Sequence, residues 1–266
     1  VGFLMDNKDF LIAISTYKKN DALLECINSI VNLGLMLRAD IVVCDDDNGG
    51  AKSVVSAIGR NDIFYASGPN LGIAKNKNRG IKFFNDKGTY KYLILMDDDI
   101  TITSRELLSE FENAYLYDKE KHINMFLGSY TDPLTKVGFF NTFPVIAKSD
   151  YLYWTRGCQG ICCFYTKELL DKVGYFKPKW PYRYGYEHAE FSARCLKVQG
   201  KCPELFPMLH RSYKMIKTQE IPNNYTVDID VVNTKQNKQY FEYLNDTYNG
   251  INLLCTDHGL DLSKEI

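Results

Sequence analysis

Apolar runs and stretches of helical period alternate through the first hundred residues. Phe10-Leu11-Ile12-Ala13-Ile14 is a continuous apolar run, as a strand buried on both faces requires. A polar turn from Ser15 to Asn20 leads into Asp21–Ile30, whose apolar positions recur at helical spacing. Asp40–Cys44 reads as a second strand and ends in the turn-rich Asp45-Asp46-Asp47-Asn48-Gly49-Gly50. Ala51–Gly59 reads as helix, Ile63–Ala66 as a short strand, Ile73–Asn85 as helix and Tyr90–Met96 as a fourth strand. This βαβαβαβ order predicts a largely parallel sheet with helices on both faces, and ligands in such sheets sit at the carboxyl ends of the strands.

The pattern changes after residue 100. Glu106–Tyr117, Lys167–Val173 and His188–Gln199 have helical period, and strands are expected near Met125–Tyr130, Gly138–Ala147 and Ile161–Tyr165. From Ile216 the chain is polar and rich in Asn and Lys, with one helix expected over Val232–Leu244. The expected division is one domain over 1–215 and a C-terminal helical extension over 216–266.

Composition narrows the class. The 266 residues are 45% hydrophobic and 24% charged, enough apolar matter for a packed core. A net charge of −1 argues against nucleic-acid binding by phosphate neutralisation. Nineteen Tyr fit either a Tyr-rich core or sugar- and base-stacking surfaces. The eight Cys include no C-x-x-C pair, so buried free thiols in a reducing cytosol are expected rather than a zinc site. Asn224 and Asn245 open N-x-T sequons at the frequency this Asn content gives by chance. No apolar stretch approaches the roughly 18 residues of a membrane span, and no signal peptide is visible. The chain begins with Val1, as a fragment of a longer protein would.

The chemistry concentrates where the fourth strand ends in Asp97-Asp98-Asp99. In an extended chain Asp97 and Asp99 face one side and Asp98 the other. Carboxylates this close repel, and a hard divalent cation relieves the repulsion. Such a cation usually completes its coordination with phosphate oxygens.

Five segments in order resemble family 2-type glycosyltransferases of the GT-A fold. They are Ile12-Ala13-Ile14-Ser15-Thr16-Tyr17; Val43-Cys44-Asp45-Asp46; Asn70 to Gly80, with Lys77 where Arg is usual; Asp97-Asp98-Asp99, the D-x-D motif; and Gly185 to Arg194, with His188 where an Asp is usual. The resemblance spans roughly residues 10–215 and implies an α/β GT-A fold and a metal-dependent transfer from a nucleotide-sugar, UDP-sugar favoured, to a glycan or lipid-linked glycan at the cytosolic membrane face.

It also implies roles. Asp97, Asp99 and His210 would hold Mn²⁺ or Mg²⁺, with Asp98 beside the donor. Asp45 or Asp46 would accept from the base N–H, unless the pair caps the Asp47-Asn48-Gly49 turn. Thr16 and Tyr17 would line the nucleoside pocket, and Lys77 would reach a phosphate or lie on a solvated helix face. Gly72 would serve the backbone turn. Glu187 or His188 would handle the acceptor hydroxyl. Trp154, Gly160 and Tyr184 would meet the acceptor, although Trp154, Trp180, Tyr182 and Tyr184 each suit a core equally. The departure at His188 leaves inversion, which is favoured, open against retention. A nucleotidyltransferase would need a Gly-rich phosphate loop, which Ser15–Asn20 lacks. A binding domain that has lost catalysis is the remaining alternative.

Overall fold

A computed structural model describes residues 8–117, 123–130, 145–155, 160–177, 187–201, 203 and 205–219. The N-terminal half follows the predicted alternation: β1 (Phe10–Thr16), α1 (Asn20–Asn32), β2 (Ala39–Asp45), α2 (Lys52–Ile58), β3 (Ile63–Ser67), α3 (Ile73–Lys87) and β4 (Tyr92–Asp97). Their strands lie parallel in the order β3-β2-β1-β4. Register brings Ser15 beside Asp97 and Thr16 beside Asp45, so three strand ends open at one edge.

Next come β5 (Ile100–Ile102), α4 (Leu107–Tyr117), β6 (Met125–Leu127), β7 (Val145–Lys148), β8 (Leu152–Thr155), β9 (Cys162–Thr166), α5 (Lys167–Val173), α6 (Glu187–Val198), β10 (Phe206–Leu209) and β11 (Ile216–Thr218). Here the sheet stops being purely parallel. Beyond β4 the order is β9-β6-β10-β8-β7, and only β6–β10 is a parallel pair. The nine-stranded sheet is therefore mixed. The expected strand over Gly138–Ala147 is seen only from Val145, its earlier part lying outside the described residues, as does the helix expected over 232–244.

Alternate strand residues build a core on each face of the sheet. Ile12, Ile41, Ile94 and Phe164 meet Leu23 and Ile27 of α1 and Phe111 of α4 on one face. Ala13, Val42, Leu95 and Tyr165 meet Ile81 of α3, Leu169 of α5 and Phe191 of α6 on the other. Burying one such aliphatic or aromatic side chain contributes about 1.5–3 kcal/mol, so this two-sided packing fixes where β4 ends. The five described cysteines, Cys26, Cys44, Cys162, Cys163 and Cys195, are buried in it as free thiols.

β5 and β11 form a separate antiparallel pair. Ile216 is fully buried, and the Gln219 N–H donates to the Asp99 carbonyl at 2.9 Å. The start of the segment expected as an extension thus ties the acidic turn down. No helix among the described residues is long and apolar enough to cross a membrane.

Candidate active site

A cavity of about 500 Å³ opens at the carboxyl ends of β1, β2 and β4. Thr16, Tyr17, Asp46, Lys77, Asp97, Asp98, Asp99, Gly160, Glu187 and His188 all line it. These ten expected site residues come from segments as far apart as Thr16 and His188. β4 ends at Asp97, and Asp98 and Asp99 form a turn before β5. Strict alternation therefore stops, and all three carboxylates border the cavity. The turn is held by the Asp97 N–H, which donates to the Ile161 carbonyl at 3.0 Å, and by Thr16 Oγ1, which donates to Asp98 Oδ2 at 2.7 Å.

Burial dominates the ionisation of Asp97 and Asp98. It raises the Asp97 carboxyl to about 6, against the pull of Lys77. It raises Asp98 to about 7, against Lys19 and the Thr16 hydroxyl. Lys19 lies 3.0 Å from Asp99 Oδ2 and 3.8 Å from Asp98 Oδ1.

The opposite wall is a buried ion pair. Lys77 Nζ donates to Glu187 Oε1 at 3.0 Å and to the Gly160 carbonyl at 3.3 Å, and stands 3.6 Å from Asp97 Oδ1. Burial opposes charge on both partners, but their neighbours outweigh it: Asp97 and then Glu187 hold Lys77 well above the usual lysine range, and Lys77 with His188 holds Glu187 well below the usual carboxylate range. His188 Nδ1 is 3.6 Å from Glu187 Oε1. Its ring packs on Gly160, where a Cβ would come within 2.3 Å of the imidazole, so only glycine fits. Asp97 Oδ1 and Glu187 Oε2 are buried without a hydrogen-bond partner, a cost that a bound cation or hydroxyl would remove.

Other expected residues lie elsewhere. Asp45 is fully buried and away from the cavity; its carboxylate accepts from the N–H groups of Asp47 and Ala51 and from the Tyr65 hydroxyl, which makes it the cap of its own loop. Asp46 reaches the cavity and accepts from Leu71 N, Gly72 N and Arg79 Nη1, the Gly72 bond made at a φ of +91°. Trp154 of β8 is 2% exposed and belongs to the core. His210 follows β10, edge-on to the Tyr153 ring and outside the cavity lining, with Nδ1 3.4 Å from the Asp150 carbonyl. Tyr184, Trp180 and Tyr182 lie outside the described residues.

Sequence reasoning passed over Lys19, Asn76 and Ile161, which also line the cavity. Asn76 Nδ2 donates to the Thr16 and Cys44 carbonyls and so joins the ends of β1 and β2 to α3. Its only sequence signal was its place on the Asn70–Gly80 segment.

Among the described residues no group of three or more His, Cys, Asp and Glu side chains is arranged to hold a metal. The oxygens of Asp97 and Asp99 still fit a hard divalent cation of the kind that is bound by one or two carboxylates and completed by waters and substrate phosphates. Asp97 Oδ1, which makes no hydrogen bond and has only the Lys77 ammonium 3.6 Å away, is the observation that favours this fit.

Known proteins share this architecture. An uncharacterized glycosyltransferase of Acanthamoeba polyphaga mimivirus is 29% identical over 198 residues, 70% of this chain and 72% of its own. The mannosyltransferase PcManGT from Pyrobaculum calidifontis, in complex with GDP-Man and Mn²⁺, aligns with a TM-score of 0.59 at 13% identity, over 88% of this chain and 63% of that one. S. aureus TarS in complex with UDP-GlcNAc aligns with a TM-score of 0.54 at 16% identity, over 82% and 60%. This chain spans a little under two thirds of the length of those two structures, and the likeness is one of fold, GT-A. Glycosyl transferase family 2 matches residues 11–174, from β1 to the end of α5. That is more than half of the sequence, and the chain belongs to glycosyl transferase family 2.

Proposed function

We propose that this chain moves a sugar from a nucleotide-sugar, of the UDP-sugar class, to a hydroxyl of a glycan or lipid-linked glycan, with inversion at the anomeric carbon. The observation that carries this reading is the meeting of the Asp97–Asp99 turn with Lys77, Glu187 and His188 around one cavity. The fold relatives add support, since PcManGT is in complex with GDP-Man and Mn²⁺ and TarS with UDP-GlcNAc.

Thr16, Tyr17 and Asp46 line the cavity and would form its nucleoside end. Asp97 and Asp99 would hold Mn²⁺ or Mg²⁺, which when bound neutralises the departing diphosphate. On the other wall the roles of the two candidate bases separate. Glu187 is held ionised by Lys77 and is too weak a base for a hydroxyl proton near neutral pH. Its charge beside Nδ1 favours a proton there and leaves His188 Nε2 as the acceptor. His188 Nε2 then takes the proton of the acceptor hydroxyl. The freed oxygen bonds to the anomeric carbon, and the bond from that carbon to the diphosphate breaks. Glu187 Oε2, without a partner of its own, accepts from a sugar hydroxyl.

Thermal-shift titration with nucleotide-sugars and Mn²⁺ tests the donor half, because a ligand of the native state raises its stability. A shift with a UDP-sugar and Mn²⁺ that Asp99→Asn abolishes is expected. Survival of the shift in that variant removes Asp99 from the metal site. Absence of transfer or hydrolysis with every nucleotide-sugar, with binding retained, would make the chain a binding domain. The anomeric configuration of the product, read by NMR, tests inversion.

A further inference from the structure

Each end of the acidic turn already has a lysine. Lys77 is fixed by acceptors on three segments and is only 3% exposed. Lys19 differs. It opens α1 with its backbone carbonyl, which accepts from Leu23 N at 2.9 Å, while its side chain extends into the cavity wall and is 27% exposed. Its ammonium lies 3.0 Å from Asp99 Oδ2 and 3.8 Å from Asp98 Oδ1. A lysine is a compact charge on a flexible four-carbon stem, so it changes partners without moving the backbone.

We propose that Lys19 is a resident counter-ion of the acidic turn that exchanges Asp99 for the donor diphosphate. This rests on Asp97 and Asp99 being the metal ligands. A divalent cation and the Lys19 ammonium cannot both sit against one Asp99 oxygen, since like charges at that distance repel. A cation that takes Asp99 Oδ2 therefore requires Lys19 to leave, whereas Lys77, 3.6 Å from Asp97 Oδ1, stays held by Glu187 and the Gly160 carbonyl. The phosphates of a bound nucleotide offer it a new anionic partner within the same cavity. A cation arriving alone displaces Lys19 into solvent; a cation arriving with a nucleotide does not. Lys19 thereby couples the two ligands, and by linkage each raises the affinity of the other by the same factor. The device disfavours idle metal on an empty donor site.

The test is Mn²⁺ binding to the full chain, followed by electron paramagnetic resonance with and without UDP, so no turnover is needed. Lys19→Met keeps the stem and removes the charge; Lys19→Arg keeps the charge. Expected is weak Mn²⁺ binding by the wild type without UDP, binding tighter by about tenfold or more in Lys19→Met, and wild-type behaviour in Lys19→Arg. The factor by which UDP tightens Mn²⁺ binding should also shrink in Lys19→Met. If Lys19→Met binds Mn²⁺ no tighter than wild type without UDP, while both bind it with UDP, the exchange is refuted and the metal site stands. If neither takes up Mn²⁺ under any condition, the metal assignment fails and the exchange with it.

Discussion

Lys77 and Glu187 lie 110 positions apart and form an ion pair at 3.0 Å, with both side chains at most 5% exposed. The pair joins α3 to α6 across one wall of the cavity. Removing one partner of a buried pair leaves an uncompensated charge, which typically costs about 3–5 kcal/mol. Lys77→Met should therefore unfold at markedly lower urea than wild type, and Lys77→Met with Glu187→Gln should recover part of the loss. Lowered Glu187 contributes stability above the ordinary carboxylate range, lost only as pH falls through its far lower folded value. Raised Lys77 contributes below the ordinary lysine value, lost only as pH climbs through its higher folded one. Lys77 also pulls down Asp97, which stands at about 6, so in Lys77→Met the buried Asp97 and Glu187 hold their protons to higher pH and the deficit should widen as pH rises from about 5 to 9.

Asp98 should behave in the opposite way. Burial raises it to about 7, so the folded chain keeps a proton that the unfolded chain has released. Stability without ligands should then fall as pH rises from about 4, the ordinary Asp value, toward 7, and level off above. Asp98→Asn retains an oxygen that can accept from Thr16 Oγ1 and removes the charge. Its melting temperature should match wild type at pH 4 and exceed it by a few degrees at pH 8. A constant difference across that range would show that Asp98 does not titrate there.

How far the sequence disclosed this site depended on the range of the contacts. Phe10–Ile14 and Tyr92–Met96 were legible because strands buried on both faces are continuous apolar runs. β8 and β10 were missed because four residues give no period, and Trp154 beside glycines looks equally like a sugar platform. Lys77 could be taken for a solvated helix residue because its partners, Asp97 and Glu187, come from other elements. Asp45 and Asp46 are indistinguishable as adjacent letters. Only the loop geometry turns Asp45 inward as a cap and leaves Asp46 on the cavity.

Gly160 is a steric requirement for the His188 ring. A Cβ there would sit 2.3 Å from His188 Cγ and 2.6 Å from Nδ1, so Gly160→Ala must displace the imidazole or its own backbone. A displacement of about 1 Å in a reacting group can cost about 100-fold in rate. Gly160→Ala should lower kcat by that order with UDP affinity unchanged, as judged by calorimetry. An unchanged kcat would separate the ring position from the chemistry.

His188 carries the last prediction. If Nε2 removes the acceptor proton, His188→Ala should lose about 10²- to 10⁴-fold in kcat, the usual size of general-base catalysis, and still bind UDP. Activity should fall in acid, where the imidazole takes up a proton and no longer accepts one. His188→Asp supplies another base at the same helix position and should retain more activity than His188→Asn, which cannot accept the proton. Its acid limb should move to lower pH, because a carboxylate stays ionised there. Glu187→Gln should leave a weaker version of the same profile, since Glu187 orients the ring rather than moving the proton. Were Glu187 the base, the ranking would invert: Glu187→Gln would lose the pH dependence altogether, and His188→Asn would keep it.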